Sequence, residues 1–132
     1  NSVVSRQTND SISFEEIYKS SKNARITGIE EEADVRIPSK EVLIALKIQA
    51  ARLTDARDIV ALCRGIDSKE VAKYVTRGNL KNISINLDIL LKIIESNNFK
   101  DSFKGVFSIE KLPKGNIDNA IKLLEYIKKE IK

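Results

Sequence analysis

The chain has 132 residues, a formal net charge of +4 and a hydrophobic content of 42%, the size and make-up of one ordinary globular domain. It contains no His and a single Cys, which excludes the usual general base, Ser-His-Asp chemistry, zinc or haem sites and any internal disulfide. No apolar stretch is long enough to span a bilayer and no signal-like segment occurs, so a cytoplasmic location and no membrane partner are expected. The first residue is Asn1 and no Met is present, as expected of a processed product or a fragment. Charge is unevenly placed: −2 up to Pro38 and +6 from Ser39 onward. That bias permits a nucleic-acid or phosphate partner, although Lys residues interspersed with Glu and Asp are also the pattern of ordinary solvated helix faces.

In chain order, Val3 and Val4 suggest the frayed end of a strand whose partners precede it. Ser13 and Glu16 have capping-box spacing and open a short helix carrying Phe14, Ile17 and Tyr18 to about Lys22. Residues 24–29 and 34–37 read as two strands of a hairpin joined through Gly28 and the acidic run Glu30, Glu31, Glu32. Pro38 then ends the extended chain and Ser39 caps a helix. Val42, Leu43, Ile44, Ala45, Leu46, Ile48, Ala50 and Ala51 surround nearly all of that helix, leaving Lys47 and Gln49 as its interior polar residues. A helix apolar on every side is normally covered on every side, so this is the expected central helix.

Thr54 is the expected cap of the next helix, which buries Ala56, Ile59, Val60, Leu62 and Cys63 and stops at Gly65; Cys63 reads as a small buried hydrophobe. Ser68 is the expected cap of a helix with Val71, Ala72 and Val75, ending by Gly78. Residues 79–96 place Leu80, Ile83, Leu87, Leu90, Leu91 and Ile94 at helical spacing. Phe99, Phe103, Val106, Phe107 and Ile109 suggest a short helix or irregular clamp, interrupted by Gly105. Asn116 is the expected cap of a terminal helix striped by Ile117, Ala120, Ile121, Leu124, Ile127 and Ile131. The fold class is thus α+β and mainly helical, a short β-hairpin packed against a bundle of about five helices. Residues 1–132 form a single domain, with 1–38 as the strand and hairpin portion and 39–132 as the helical portion.

The window from Val35 to Leu62 is the most informative. It joins a strand, the Pro38-Ser39 entry into the central helix, Lys47, and the Arg-x-x-Asp-x-x-Asp-Ile run formed by Arg52, Asp55, Asp58 and Ile59. This combination resembles the second half of minimal nucleotidyltransferase-like proteins, toxin-type members included. By position, Lys47 matches the Lys of the family's central helix, Arg52 the Arg that follows, and Asp55 and Asp58 its paired acids. The chain departs from the family in having Ala51 where Gly precedes the Arg, and Thr54 where Lys precedes the first Asp. It also lacks the Gly-Ser pair, the two closely spaced Asp residues and the third carboxylate on a later strand. Clustered carboxylates are required because divalent cations must activate a hydroxyl and neutralise a triphosphate together.

The resemblance implies the C-terminal portion of a nucleotidyltransferase-like fold, or a member that has lost catalysis, with no catalytic residue and no cofactor of its own. The parent protein would use Mg²⁺ and a nucleoside triphosphate, and the principal partner would be an N-terminal catalytic portion. Lys47 and Arg52 are then the candidate nucleotide or phosphate contacts. Asp55 and Asp58 are structural or metal-proximal candidates, since Asp55 also lies where negative charge favours helix initiation. Lys47 can equally run its methylenes along the core and put its ammonium in water. The other function classes compatible with the residues are a helical protein-interaction or nucleic-acid-binding module, and dimerisation through the terminal helix.

Overall fold

A computed structural model describes all 132 residues. The elements run β1 (Ser2–Ser5), β2 (Asp10–Ser13), α1 (Phe14–Ser20), β3 (Lys22–Thr27), β4 (Glu32–Ile37), α2 (Lys40–Ala50), α3 (Leu53–Leu62), α4 (Ser68–Val75), α5 (Leu80–Glu95), α6 (Asn97–Phe107) and α7 (Lys114–Glu130). The fold is α+β and mainly helical, with two antiparallel hairpins, β1-β2 and β3-β4, that do not join into one sheet.

The central helix is α2. It packs against α3, α4 and α5, while α7 closes the other side over α3, α4 and α5, and α6 lies along α5 and α3. Val42, Ile44, Ala45 and Ile48 of α2 are fully buried, and burying an Ile side chain contributes about 1.5–3 kcal/mol. Ala50, expected to help surround the helix, is exposed instead. Its place beneath the covering elements is taken by Gln49, only 3% exposed.

Local chemistry sets the helix ends. At α1 the Ser13 hydroxyl accepts from the Glu16 backbone N–H at 3.1 Å, and the Glu16 carboxylate accepts from the Ser13 N–H at 3.0 Å, a complete capping box. Ser39 caps α2 by accepting from the Val42 N–H at 3.2 Å. Three expected caps are displaced. Asp67, not Ser68, accepts from the first N–H groups of α4, because a carboxylate is the stronger acceptor for a helix N-terminus. Arg52, not Thr54, stands at the N-cap of α3. Helix α7 begins directly after Pro113, so Asn116 lies inside its first turn, in keeping with the fixed φ of Pro at a helix start.

Several expectations about the elements themselves are corrected. Strand β1 is paired within the chain, Val3 opposite Ile12 and Val4 opposite Ser11, so it has a partner that follows it. Helix α1 stops at Ser20, since Lys22 is already in β3. Gly105 does not interrupt α6; it is exposed in the last turn, where it opposes no packing, and the bundle after the second hairpin therefore has six helices. Phe99 and Phe103 enter the core, with Phe107 continuing the ring contacts at 4.5 Å. The stripe of α7 is consumed by the chain's own core: Ile117, Ala120, Leu124 and Ile127 are buried, as is Leu123, and Ile121 and Ile131 pack against that core. Cys63 is a buried thiol, as expected, donating to the Asn116 carbonyl at 3.0 Å, and burial pushes it up to about 11.

The two hairpins differ sharply. Hairpin β1-β2 is fastened to the bundle: Ile12 is in the core, the Thr8 carbonyl accepts from the Asn79 N–H, and the Gln7 carbonyl accepts from the Asn82 side chain. Gly78 permits that approach, because a Cβ there would stand 2.5 Å from the Thr8 carbonyl oxygen. Hairpin β3-β4 was expected to pack against the bundle, yet it projects from it. Only Ala24 and Val35 are even half-buried among its strand residues. Its six-residue strands alternate between a polar face and a narrow apolar face, and the apolar face comes near the bundle at its base, beside the start of α2.

Beneath β1-β2 lies a buried polar network. The Asp10 carboxylate, 3% exposed, accepts from the Gln49 amide at 2.5 Å and from the Ser11 N–H at 2.7 Å. The Asn86 amide donates to the Ile48 and Gln49 carbonyls at 3.2 and 3.0 Å, satisfying the open end of α2, and its oxygen accepts from Gln7. Desolvation raises the Asp10 carboxyl above its ordinary value of 3.8, against the opposing pull of Ser11, Gln49 and Arg77. A raised folded-state value means that the stabilising contribution is complete below that ordinary value and is lost as pH rises through the folded one. Asp10→Asn, with the Gln49 amide flipped to accept, is therefore expected to be more stable than the wild type at pH 7 and to lose that advantage near pH 3.5. Urea denaturation at the two pH values measures the difference.

Candidate functional site

The four charged residues singled out in the sequence meet at the corner between α2 and α3. Lys47 lies in the last turn of α2, whose end is fixed by Ala51 at φ 52 and ψ 38, in the left-handed region. The next residue, Arg52, is extended, and α3 starts immediately. A continuous helix would point Lys47 and Arg52 about 140° apart, but the reversal at Ala51 turns both side chains toward the first turn of α3.

Asp55 is the hub. Its side chain is wholly buried, and it accepts from the Arg52 backbone N–H at 3.0 Å, from Arg52 Nε at 2.8 Å and from Arg52 Nη2 at 3.4 Å. Lys47 Nζ reaches Asp55 Oδ1 at 3.3 Å and Asp58 Oδ2 at 2.6 Å. Burial pushes the Asp55 carboxyl up, but the Arg52 side chain, the Arg52 N–H and the Lys47 ammonium together outweigh it and hold the group below its ordinary value. Lys47 is raised, chiefly by its hydrogen bond to Asp58.

The arrangement contains two cations and two carboxylates, so the corner is neutral. Lys47 is 31% exposed and Arg52 71%, which leaves both cations accessible at the surface. A phosphate approaching Lys47 would compete with Asp58 for the ammonium. The corner does not fit a divalent cation, because Asp55 is already coordinated by Arg52 and Lys47 and no third acid or Cys joins the pair. No helix is long and apolar enough to cross a membrane.

Sequence reasoning overlooked the role of Gln49, treated as a polar position on α2, and of Asp10 and Asn86. The available signal was the amide itself, because an unpaired Gln on a helix meant to be covered on all sides implies a buried partner. It also overlooked Arg57, which donates to Ser102 at 3.2 Å and ties α3 to α6.

Two substitutions test this corner. Ala51→Gly removes the left-handed strain of a residue with a Cβ and is expected to stabilise the protein by about 0.5–1 kcal/mol, read as a higher denaturation midpoint. Asp55→Ala removes the helix-start acceptor and the shared anion, and is expected to cost about 1–3 kcal/mol at neutral pH. Because the folded Asp55 value is depressed, its contribution is present above the ordinary value of 3.8 and lost as pH falls through the folded one, so the gap between wild type and variant narrows in acid. Compared with protein-family models, with curated proteins and with solved structures, the chain matches none.

Proposed function

We propose that the chain is the C-terminal helical portion of a nucleotidyltransferase-like protein and is not catalytically complete by itself. The observation that carries this reading is the α2–α3 corner. The family has Gly before its Arg, and here that position, Ala51, takes the left-handed conformation that glycine adopts at no cost. The departure from the family thus falls on a residue whose backbone still has the form a glycine would serve. Lys47, Arg52, Asp55 and Asp58 gather around this turn in one cluster, which accounts for their spacing as a unit.

Within this reading Asp55 and Asp58 are structural: they hold the corner and set the direction of the two cations. Lys47 is the candidate phosphate contact, released from Asp58 when a stronger anion arrives, and Arg52 is the second, anchored through Asp55. Metal ions and the attack on the nucleotide belong to the N-terminal catalytic portion of the parent. A second reading, a helical protein-interaction module, is favoured by the projecting β3-β4 hairpin.

The coding sequence upstream of Asn1 provides the first test: a Gly-Ser pair followed by two closely spaced Asp residues is expected. A start codon directly before Asn1 would remove the active-enzyme version. The second test is calorimetric titration of the product of the whole coding sequence with nucleoside triphosphate and Mg²⁺, comparing Lys47→Met with wild type. Loss of a charge-assisted phosphate contact weakens binding about tenfold or more, with the fold confirmed by thermal melts. Equal affinities at equal fold integrity would leave Lys47 as a purely structural partner of Asp55 and Asp58.

A further inference from the structure

The β3-β4 hairpin is a two-faced ribbon. Its register sets Lys22 opposite Ile37, Ala24 opposite Val35 and Ile26 opposite Ala33, so these six residues share one face. Asn23 with Arg36, Arg25 with Asp34 and Thr27 with Glu32 make the other face. The polar face is internally satisfied. Arg25 pairs with Glu32 and Asp34, and Arg36 donates to Ser21 and Asn23 while stacking 4.0 Å from the Tyr18 ring. The apolar face is not covered: Ile26 is 57% and Ile37 44% exposed. An isolated two-stranded hairpin is at best marginally stable in water.

Three further features bear on what covers that face. At the tip, the turn closed by the Gly28 N–H on the Glu31 carbonyl holds Ile29 entirely in solvent. At the base, a cleft lies between the hairpin and the start of α2, with Ala24, Ile37 and Pro38 supplying its apolar lining. The charges are polarised in the same direction. Glu30 and Glu31 follow Ile29 at the tip, whereas Lys22 and Lys40 line the cleft at the base. Glu41, also at the cleft, is engaged by the Asp67 N–H.

We propose that the β3-β4 hairpin is a self-complementary interface that pairs two copies of this chain face to face and antiparallel about a twofold axis. In that arrangement the apolar faces cover one another, Ile29 of each copy enters the basal cleft of the other, and Glu30 and Glu31 meet Lys22 and Lys40, twice over. Such an isologous contact closes on itself and stops at a dimer. Each ribbon is only about 20 Å long and about 10 Å wide, well below the standard interface of about 800 Å² per partner, so the dimer is weak and reversible. The proposal uses no residue of the α2–α3 corner, although Val35, Ile37 and Lys40 also lie in the window that carries the nucleotidyltransferase reading.

Sedimentation velocity from about 10 μM to about 1 mM, the range in which weak contacts assemble, tests the pairing. The wild type is expected to move from 14.8 kDa toward twice that mass, and less so at high salt. Ile29→Asp is expected to stay monomeric. Glu30→Lys with Glu31→Lys sets like charges against each other in a homodimer, as does Lys22→Glu with Lys40→Glu, so each double variant alone is expected to be monomeric. An equimolar mixture of the two double variants restores opposite charges at both ends and is expected to dimerise. All substituted positions are exposed, and circular dichroism and thermal melts verify that each variant is folded. A wild type that remains monomeric at the highest concentration, a dimer unaffected by Ile29→Asp, or a mixture that fails to recover dimer would each overturn the proposal.

Discussion

Helix α2 is apolar around most of its circumference, and most of the remaining architecture answers that need. A surface helix requires a neighbour on one side only, whereas α2 must be enclosed. Helices α3, α4 and α5 share the task, and α7 braces them from outside. Enclosure creates a second problem at the carbonyl end, where the last turn of a helix has no intrahelical donors. Asn86 supplies them from α5, and the price is a chain of buried polar groups running through Gln49 to Asp10. Hairpin β1-β2 is consequently bound into the bundle by polar contacts as well as by Ile12.

The same helix ends in a turn whose geometry organises the charged corner. One residue in a left-handed conformation reverses the path, and three consequences follow from it: α2 stops, α3 starts, and side chains from both helices converge. Asp55 meets both structural needs, receiving the N–H at the start of α3 and pairing with both cations, with Asp58 supplying the second negative charge. The corner is thus a neutral structural joint with Arg52, Asp58 and part of Lys47 at its surface, and any ligand role is superimposed on that joint.

Much of this was legible in the sequence, and the failures have physical causes. The helices of the bundle follow from apolar spacing, and the enclosure of α2 follows from the apolar residues around most of its circumference. The charged quartet was visible from residue types, whereas its convergence depends on the left-handed conformation of Ala51. Hidden were the contacts between elements distant in sequence, such as Asp10 with Gln49 and Asn86 with the end of α2, because no local pattern encodes them. Strand β2 was missed because Asp10–Ser13 is short and polar, and its one buried apolar residue, Ile12, has no alternation to announce it. The projection of β3-β4 was hidden for another reason. An alternating strand has an apolar face whether or not its own chain provides the cover.

Cys63 gives the protein a built-in clock for its own opening. Its thiol is enclosed between α3 and the start of α7 and held to the Asn116 carbonyl, and its acidity is suppressed. Thiol reagents attack the thiolate, so in the closed state reaction is blocked both sterically and by protonation. Modification must wait for a local opening around Cys63, and its rate reports how often the surrounding elements separate. With no second cysteine in the chain, the signal is free of intramolecular disulfide formation. Oxidants that damage the chain would therefore reach this sulfur only in molecules that had already begun to unfold.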